Sequence, residues 1–136
     1  MIDNDEIRFP VGLPGFPGAR EFTLLTVEGT VIANLVPRDG GEPVFTVLLD
    51  PSAFFPALAP VELTGDEEGI LGATSAEDLE AWVILGRRGT RITANLLGPV
   101  VVNRTNGRAV QAISSDPTAA VAALIEPSAL AQPCSS

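Results

Sequence analysis

Apolar residues in this chain occur in short runs, and most runs end at glycine, proline, asparagine or aspartate. Short runs of β-branched and aromatic residues between turn formers are typical of β-strands. The predicted strands cover residues 7–10, 22–27, 30–36, 44–49, 61–63, 82–85, 100–102 and 108–113. The run at 44–49 is almost entirely apolar, so we expect that strand to lie inside the sheet.

A β-hairpin is predicted where the apolar run 100–102 leads into residues 104–107 and the chain returns along residues 108–113. Asn106-Gly107 favours a two-residue loop, because both residues tolerate a positive φ.

Two short helices are also predicted. Thr74 or Ser75, followed by Glu77 and Asp78, has the pattern of a helix N-terminus. Asp116-Pro117 supplies an N-cap and a first-turn proline for a second helix over residues 118–125.

The fold class predicted from these elements is all-β: a small antiparallel β-barrel-like domain of short strands with one or two short helices. We expect the sheet to curl, because open edges invite aggregation. A length of 136 residues suits one domain. We place that domain at residues 1–126 and predict a flexible C-terminal tail at residues 127–136.

The formal net charge is −9 and the isoelectric point about 4.3. This charge disfavours direct nucleic-acid binding and anionic membrane surfaces, since both need lysine and arginine. A basic protein is the natural charged partner, although an acidic balance also serves solubility alone.

The charges are segregated along the chain. One segment carries seven acids without an arginine: Glu62, Asp66, Glu67, Glu68, Glu77, Asp78 and Glu80. The next carries five arginines without an acid: Arg87, Arg88, Arg91, Arg104 and Arg108. The two segments either neutralise each other across neighbouring strands or leave an acidic lobe that attracts a basic partner.

Candidate chemistry is sparse. The chain has no histidine, tyrosine or lysine, so the commonest general bases, metal ligands and Schiff-base formers are missing. Asp50 beside Pro51 is interpreted as a turn former and not as a general base. We therefore predict no catalytic residues, no metal site and no cofactor. A single cysteine and the absence of a signal segment or membrane span favour the cytoplasm.

Four blocks of sequence, in order, resemble the flagellar assembly factor FliW family. The first joins residues 7–9 to the loop Gly12-Leu13-Pro14-Gly15-Phe16, and the second joins Asp50-Pro51 to Phe54-Phe55-Pro56. The third covers residues 93–96 and 99–103, and the fourth the returning strand at 107–111. Together they span most of the chain.

The resemblance implies a protein-binding regulator without enzymatic activity, monomeric when free. Its implied partners are flagellin, held in the cytoplasm before export, and the translational repressor CsrA, which the family antagonises by partner exchange. The alternative is a generic β-barrel module that binds a small ligand and has no regulatory partner. An acid-dependent hydrolase is the third and least supported interpretation.

Candidate functional residues follow from the resemblance and the charge pattern. Partner contacts are predicted at Leu13, Phe16, Phe54, Phe55, Glu62, Asp66, Glu67 and Glu68. For Phe54 and Phe55 a place in the core is an equal alternative. Structural roles in turns and bends are predicted at Gly12, Pro14, Gly15, Asp50, Pro51, Asn95, Pro99 and Asn103.

Overall fold

A computed structural model describes residues 5–16, 18–55, 61–114, 122–125 and 130. Within these ranges the chain forms nine strands: β1 (Glu6–Arg8), β2 (Glu21–Thr26), β3 (Ile32–Pro37), β4 (Phe45–Leu48), β5 (Leu79–Arg88), β6 (Arg91–Ala94), β7 (Val100–Asn103), β8 (Ala109–Gln111) and β9 (Ala123–Ile125). The same ranges contain two short helices, α1 (Pro51–Phe54) and α2 (Gly65–Leu71), and a 3₁₀ turn at Ala76–Asp78.

All strand pairs are antiparallel, which confirms the predicted fold class. Seven strands follow the order β1-β2-β3-β4-β5-β6-β9, with β4 in the middle as predicted. The long strand β5 also pairs with β7 through its first residues, and β7 pairs with β8. An isolated parallel bridge joins Arg8, the last residue of β1, to Arg108, which directly precedes β8. The described sheet therefore curls without closing into a continuous ladder.

The main core fills the inside of this curl. Its largest fully buried side chains include Trp82, Phe9 and Phe22, and the two phenylalanine rings meet edge to face at 5.6 Å between centroids. The inward residues alternate along β2 and β3, as a half-buried strand requires.

Strand β7 is buried at all four positions. Val100 and Val102 face the main core, whereas Val101 packs with Leu71 of α2 and Val110 in a second cluster. The apolar run therefore reflects a strand covered on both faces.

The hairpin β7–β8 is confirmed, but its predicted two-residue loop is wrong. In the described chain only glycines have a positive φ, so Gly107, at +78°, adopts it and Asn106 does not. The loop covers residues 104–107 and is closed by Gly107 N–H to Asn103 O and Asn103 N–H to Arg108 O, each 2.8 Å. Asn106 instead uses its side chain, which accepts from Arg108 N–H at 2.9 Å.

The helix predicted over residues 118–125 is wrong at its described end. Ala123–Ile125 form β9, with Ile125 opposite Ile92 of β6. The open edge of β6 offers backbone partners and an apolar cluster, and this tertiary environment overrides alanine's helix propensity. Residues 115–121 lie outside the described ranges.

The predicted strand at residues 61–63 is also wrong. This segment is irregular, and Val61 and Leu63 pack beside Leu71 instead of pairing with a strand. The predicted short helix after Ser75 is confirmed as the 3₁₀ turn, with Ser75 Oγ accepting from Glu77 N–H at 3.2 Å.

The predicted C-terminal tail falls mostly outside the described ranges. Its one described residue, Leu130, is buried, and its carbonyl accepts from Val31 N–H at 3.1 Å.

Candidate partner-binding surfaces

The predicted partner-binding residues occupy three parts of the fold: the loop after β1, the segment around α1, and the acidic segment around α2. The structure brings the first and third together at one groove. The α1 segment belongs to a different apolar cluster, which contains Leu48, Val83 and Leu96.

The loop after β1 is held by a tight turn at Leu13-Pro14-Gly15-Phe16. Leu13 and Phe16 exchange backbone hydrogen bonds of 2.8 and 3.3 Å, and Gly15 has a φ of +82°. Proline followed by a positive-φ glycine is the pattern of a type II turn. Pro14 and Gly15 therefore lie at the centre of this turn.

The two apolar side chains of this loop differ in exposure. Leu13 is 4% exposed and belongs to the main core. Phe16 is 45% exposed and meets Phe45 edge to face at 5.8 Å between centroids. Leu13 thus anchors the loop, while much of the Phe16 ring faces solvent, and contact of this ring with a partner stays a prediction.

The α1 segment begins at a turn. Asp50 Oδ1 accepts from Ser52 Oγ at 2.8 Å, and Pro51 is buried in the first turn of α1. Phe54 and Phe55 are half-buried against the cluster of Leu48, Val83 and Leu96. Both rings therefore contribute to packing, and contact with a partner stays a prediction for them.

Helix α2 lies inside the acidic segment, and the sequence analysis missed it. Its N-terminus is a capping box: Thr64 Oγ1 accepts from Glu67 N–H at 3.1 Å, and Glu67 Oε1 accepts from Thr64 N–H at 2.9 Å. The signal was present, since a threonine followed three residues later by glutamate predicts this arrangement. Three acids in the first turn also suit the helix dipole.

The four acids predicted to contact a partner therefore differ in exposure and in hydrogen bonding. Glu67 is half-buried and committed to the capping box. Glu62, Asp66 and Glu68 are exposed.

Replacing Thr64 with alanine is expected to lower the free energy of unfolding by about 0.5–2 kcal/mol, because the Glu67 N–H loses the Thr64 Oγ1 that accepts from it. Urea unfolding followed by circular dichroism measures this. Thr90→Ala, on an exposed turn, is the control and should change stability by less than about 0.5 kcal/mol. Equal effects from both variants would contradict a stabilising capping box.

The C-terminal end of α2 is fastened to the β7–β8 loop by two asparagines. Asn103 Nδ2 and Asn106 Nδ2 both donate to the Leu71 carbonyl, at 2.9 and 3.0 Å. Asn103 is 1% exposed, and its Oδ1 accepts from the Thr105 N–H and hydroxyl. We call this arrangement the asparagine clasp.

Asn95 and Pro99 shape the bend between β6 and β7. Asn95 Oδ1 accepts from the N–H groups of Leu97 and Gly98, both at 3.1 Å. Pro99 is buried, and its carbonyl accepts from Ala112 N–H at 2.8 Å. Both residues thus have structural contacts in the bend.

A surface groove of about 390 Å³ separates the loop after β1 from α2 and β8. Its lining is mainly apolar, from Val11, Leu13, Ile70 and Val110, with Glu67 and Gln111 as polar members. Val11 is 60% exposed. Sequence reasoning could not find this groove, because its walls come from segments far apart in the chain.

Opposite charges meet where the acidic and arginine-rich segments cross. Arg104 Nη1 lies 3.4 Å from Glu80 Oε1, and the guanidinium stacks 5.5 Å from the centre of the Trp82 ring. Trp82 Nε1 donates to the same Glu80 oxygen at 3.0 Å. Neutralisation between neighbouring strands therefore occurs at this point.

In the part of the chain that the structure describes, no three or more acids or cysteines cluster as a metal site would require. No helix there is long and apolar enough to cross a bilayer.

Comparisons with known proteins agree with the described fold. The model of a family described as FliW protein matches residues 1–125. The flagellar assembly factor FliW of Heliobacterium modesticaldum is 34% identical over 119 residues, covering 82% of this chain and 73% of the relative. That of Symbiobacterium thermophilum is 34% identical over 112 residues, covering 79% and 80%.

A solved structure, described as the crystal structure of the flagellar assembly factor FliW, superposes with a TM-score of 0.78. It is 26% identical, and the alignment covers 94% of this chain and 90% of that one.

Proposed function

This chain belongs to the FliW family of flagellar assembly factors, and we propose that it acts as a monomeric cytoplasmic regulator that binds other proteins. Its proposed partners are flagellin and the translational repressor CsrA, exchanged for one another. The observation that carries the proposal is the family match over residues 1–125. We further propose that the chain needs no cofactor and performs no catalysis.

Partner exchange requires two complexes of similar free energy. A micromolar complex corresponds to about −8 kcal/mol, and a tenfold preference to about 1.4 kcal/mol more. Small differences in affinity or in the supply of one partner therefore switch the population. Flagellin leaving the cell would free the chain to bind CsrA.

We assign the CsrA contact to the exposed acids of α2. Asp66 and Glu68 are exposed acidic residues on either side of Glu67, which lines the groove together with Val11 and Ile70. Such a surface suits a basic partner with an apolar anchor, and its field would weaken RNA binding by that partner. The flagellin contact is proposed at Phe16, where exposed aromatic surface is available.

The experiment that tests this function is a binding and exchange assay with purified proteins. Size-exclusion chromatography and titration calorimetry should detect a complex with flagellin and another with CsrA. Flagellin added to the CsrA complex should displace CsrA. The proposal fails if the folded chain binds neither protein at low or at physiological salt.

Replacing Asp66 with asparagine and Glu68 with glutamine is expected to weaken CsrA binding about five- to thirtyfold, since each screened charge pair contributes roughly 0.5–1 kcal/mol. Glu67 is left unchanged because it belongs to the capping box. The affinity of the unaltered chain should also fall as salt is raised.

The matched control replaces Glu28 and Glu42 with glutamine, two exposed acids on the β2–β3 and β3–β4 connections. Both double variants change the net charge equally, so a difference between their CsrA affinities would show a local role for the acids of α2. Equal loss of CsrA affinity in both, or affinity that is constant with salt, would reject the assignment.

A further inference from the structure

The β5–β6 hairpin ends in three exposed arginines, Arg87, Arg88 and Arg91, which we call the arginine tip. The chain reverses at Gly89-Thr90, where Gly89 has a φ of +61° and Thr90 does not have a positive φ. This is the pattern of a type II′ turn, which holds the two strands in tight register. The turn therefore holds the three arginines of the tip in fixed relative positions.

Arg88 and Arg91 are direct cross-strand partners. Directly opposed residues share one face of a hairpin, and like charges in that position destabilise it. Arg87 points to the other face, because side chains alternate along a strand. The pairing of Arg88 with Arg91 is therefore unfavourable for hairpin stability, and unfavourable local choices of this kind are typical of functional positions.

Two other arginines of this acidic chain, Arg38 and Arg104, form ion pairs. Arg38 lies 3.4 Å from Glu21, and Arg104 lies 3.4 Å from Glu80. None of the three arginines of the tip has an ion pair with a described residue. Three arginines without a described ion pair are therefore concentrated at this hairpin end, although the net charge is −9.

We infer that the arginine tip is a docking surface for an acidic segment of a protein partner. Guanidinium groups bind carboxylates through two parallel hydrogen bonds, and arginine is enriched among residues that dominate interface energy. Arg88 and Arg91, side by side, can hold two carboxylates of one extended segment.

A protein segment fits the tip better than a nucleic acid does. A phosphate backbone needs many cationic contacts over a long path, and the strongly negative body of this chain repels it. A short acidic peptide carries few charges and can contact the hairpin end alone.

The inference rests on the proposed function only in that the chain acts by binding proteins. It adds a positively charged surface to the negatively charged surface of the α2 acids. A basic partner and an acidic partner would therefore bind different parts of the molecule.

The direct test uses a fluorescein-labelled oligo-glutamate peptide and fluorescence anisotropy. The unaltered chain should bind it with an affinity that falls as salt is raised. The double variant Arg88→Ala and Arg91→Ala should lose about tenfold or more in affinity, as the loss of two charge-assisted contacts implies. The matched control, Arg8→Ala and Arg38→Ala, removes the same net charge from other exposed positions and should lose less than about threefold.

A second variant separates binding from folding. Arg91→Glu places opposite charges across the hairpin, so its melting temperature should rise by about 1–4 °C while peptide binding falls. A purely structural role would not combine higher stability with weaker binding.

Several results would overturn the inference: no peptide binding by the unaltered chain, equal loss in the control, or tighter binding of an RNA oligonucleotide by the tip. A dimer that forms in the unaltered chain and dissociates in the tip variant would assign the surface to a second copy instead. Binding of flagellin and of CsrA is measured separately, so that failure of the proposed function can be distinguished from failure of the inference about the arginine tip.

Discussion

Replacing Trp82 with alanine is expected to lower the free energy of unfolding by about 3–5 kcal/mol, which is a large part of the stability of a domain of this size. Trp82 is fully buried in the main core. Its removal leaves a cavity, and it also removes the ring on which Arg104 stacks and the donor to Glu80. These three losses occur at the residue where β5 ends its pairing with β7 and begins its pairing with β4.

Urea unfolding followed by far-ultraviolet circular dichroism measures this effect, and the midpoint should fall by roughly 2 M for a slope near 2 kcal/mol/M. Trp82→Phe keeps an aromatic ring and should lose less. Leu25→Ala, on the exposed face of β2, should cost under about 0.5 kcal/mol. A loss at Leu25 as large as that at Trp82 would contradict a core organised around the indole.

Replacing Asn103 with leucine is expected to lower the free energy of unfolding by about 2–3 kcal/mol, because buried polar partners lose their hydrogen bonds. The Leu71 carbonyl keeps only Asn106, and the Thr105 N–H loses its acceptor. The loss should be concentrated at α2, so hydrogen exchange should accelerate at the amide of Gly72, which bonds to Glu68 O.

Asn106→Ala is the matched comparison, because it removes the other donor to the same carbonyl from an exposed position. Its cost should be about 0.5–1 kcal/mol. The double variant should lose more than the sum of the two single losses, since only then is the Leu71 carbonyl left without a side-chain donor. Additive losses, or unchanged exchange at Gly72, would show that the clasp does not hold α2.

The clasp connects stability to the proposed function. It fixes α2, and α2 carries both the exposed acids and one wall of the groove. A variant that loosens α2 should therefore weaken partner binding even though it leaves Asp66 and Glu68 in place. Comparing Asn103→Leu with the Asp66 and Glu68 variants distinguishes loss of position from loss of charge.

Local patterns failed where a neighbouring segment decided the outcome. The Asn106-Gly107 pair predicted a two-residue loop, but the Asn106 side chain bonds to Leu71, far away in the chain. The alanine-rich segment 118–125 predicted a helix, but its residues 123–125 form a strand at the open edge of β6. The apolar residues at 61–63 read as a strand, yet they cover the side of α2 instead.

The missed helix α2 is a different kind of failure. The capping-box pattern is present at Thr64 and Glu67, whereas the neighbouring acids by themselves indicate only a charged surface segment. A seven-residue helix is marginal by itself and depends on packing, here of Leu71 against Val101 and Val110.

The sequence by itself determined most of the strands, the turn-forming role of Pro14 and Gly15, the segregation of charge and the family, because these follow from alternation, glycine and proline geometry, and residue order. Only the tertiary structure decided that β7 is covered on both faces, that Glu67 serves a cap while Asp66 and Glu68 face solvent, and that three arginines end one hairpin without a described ion-pair partner. Those properties depend on which distant segments meet, and the free energy of such contacts is set by burial and register, which no local pattern contains.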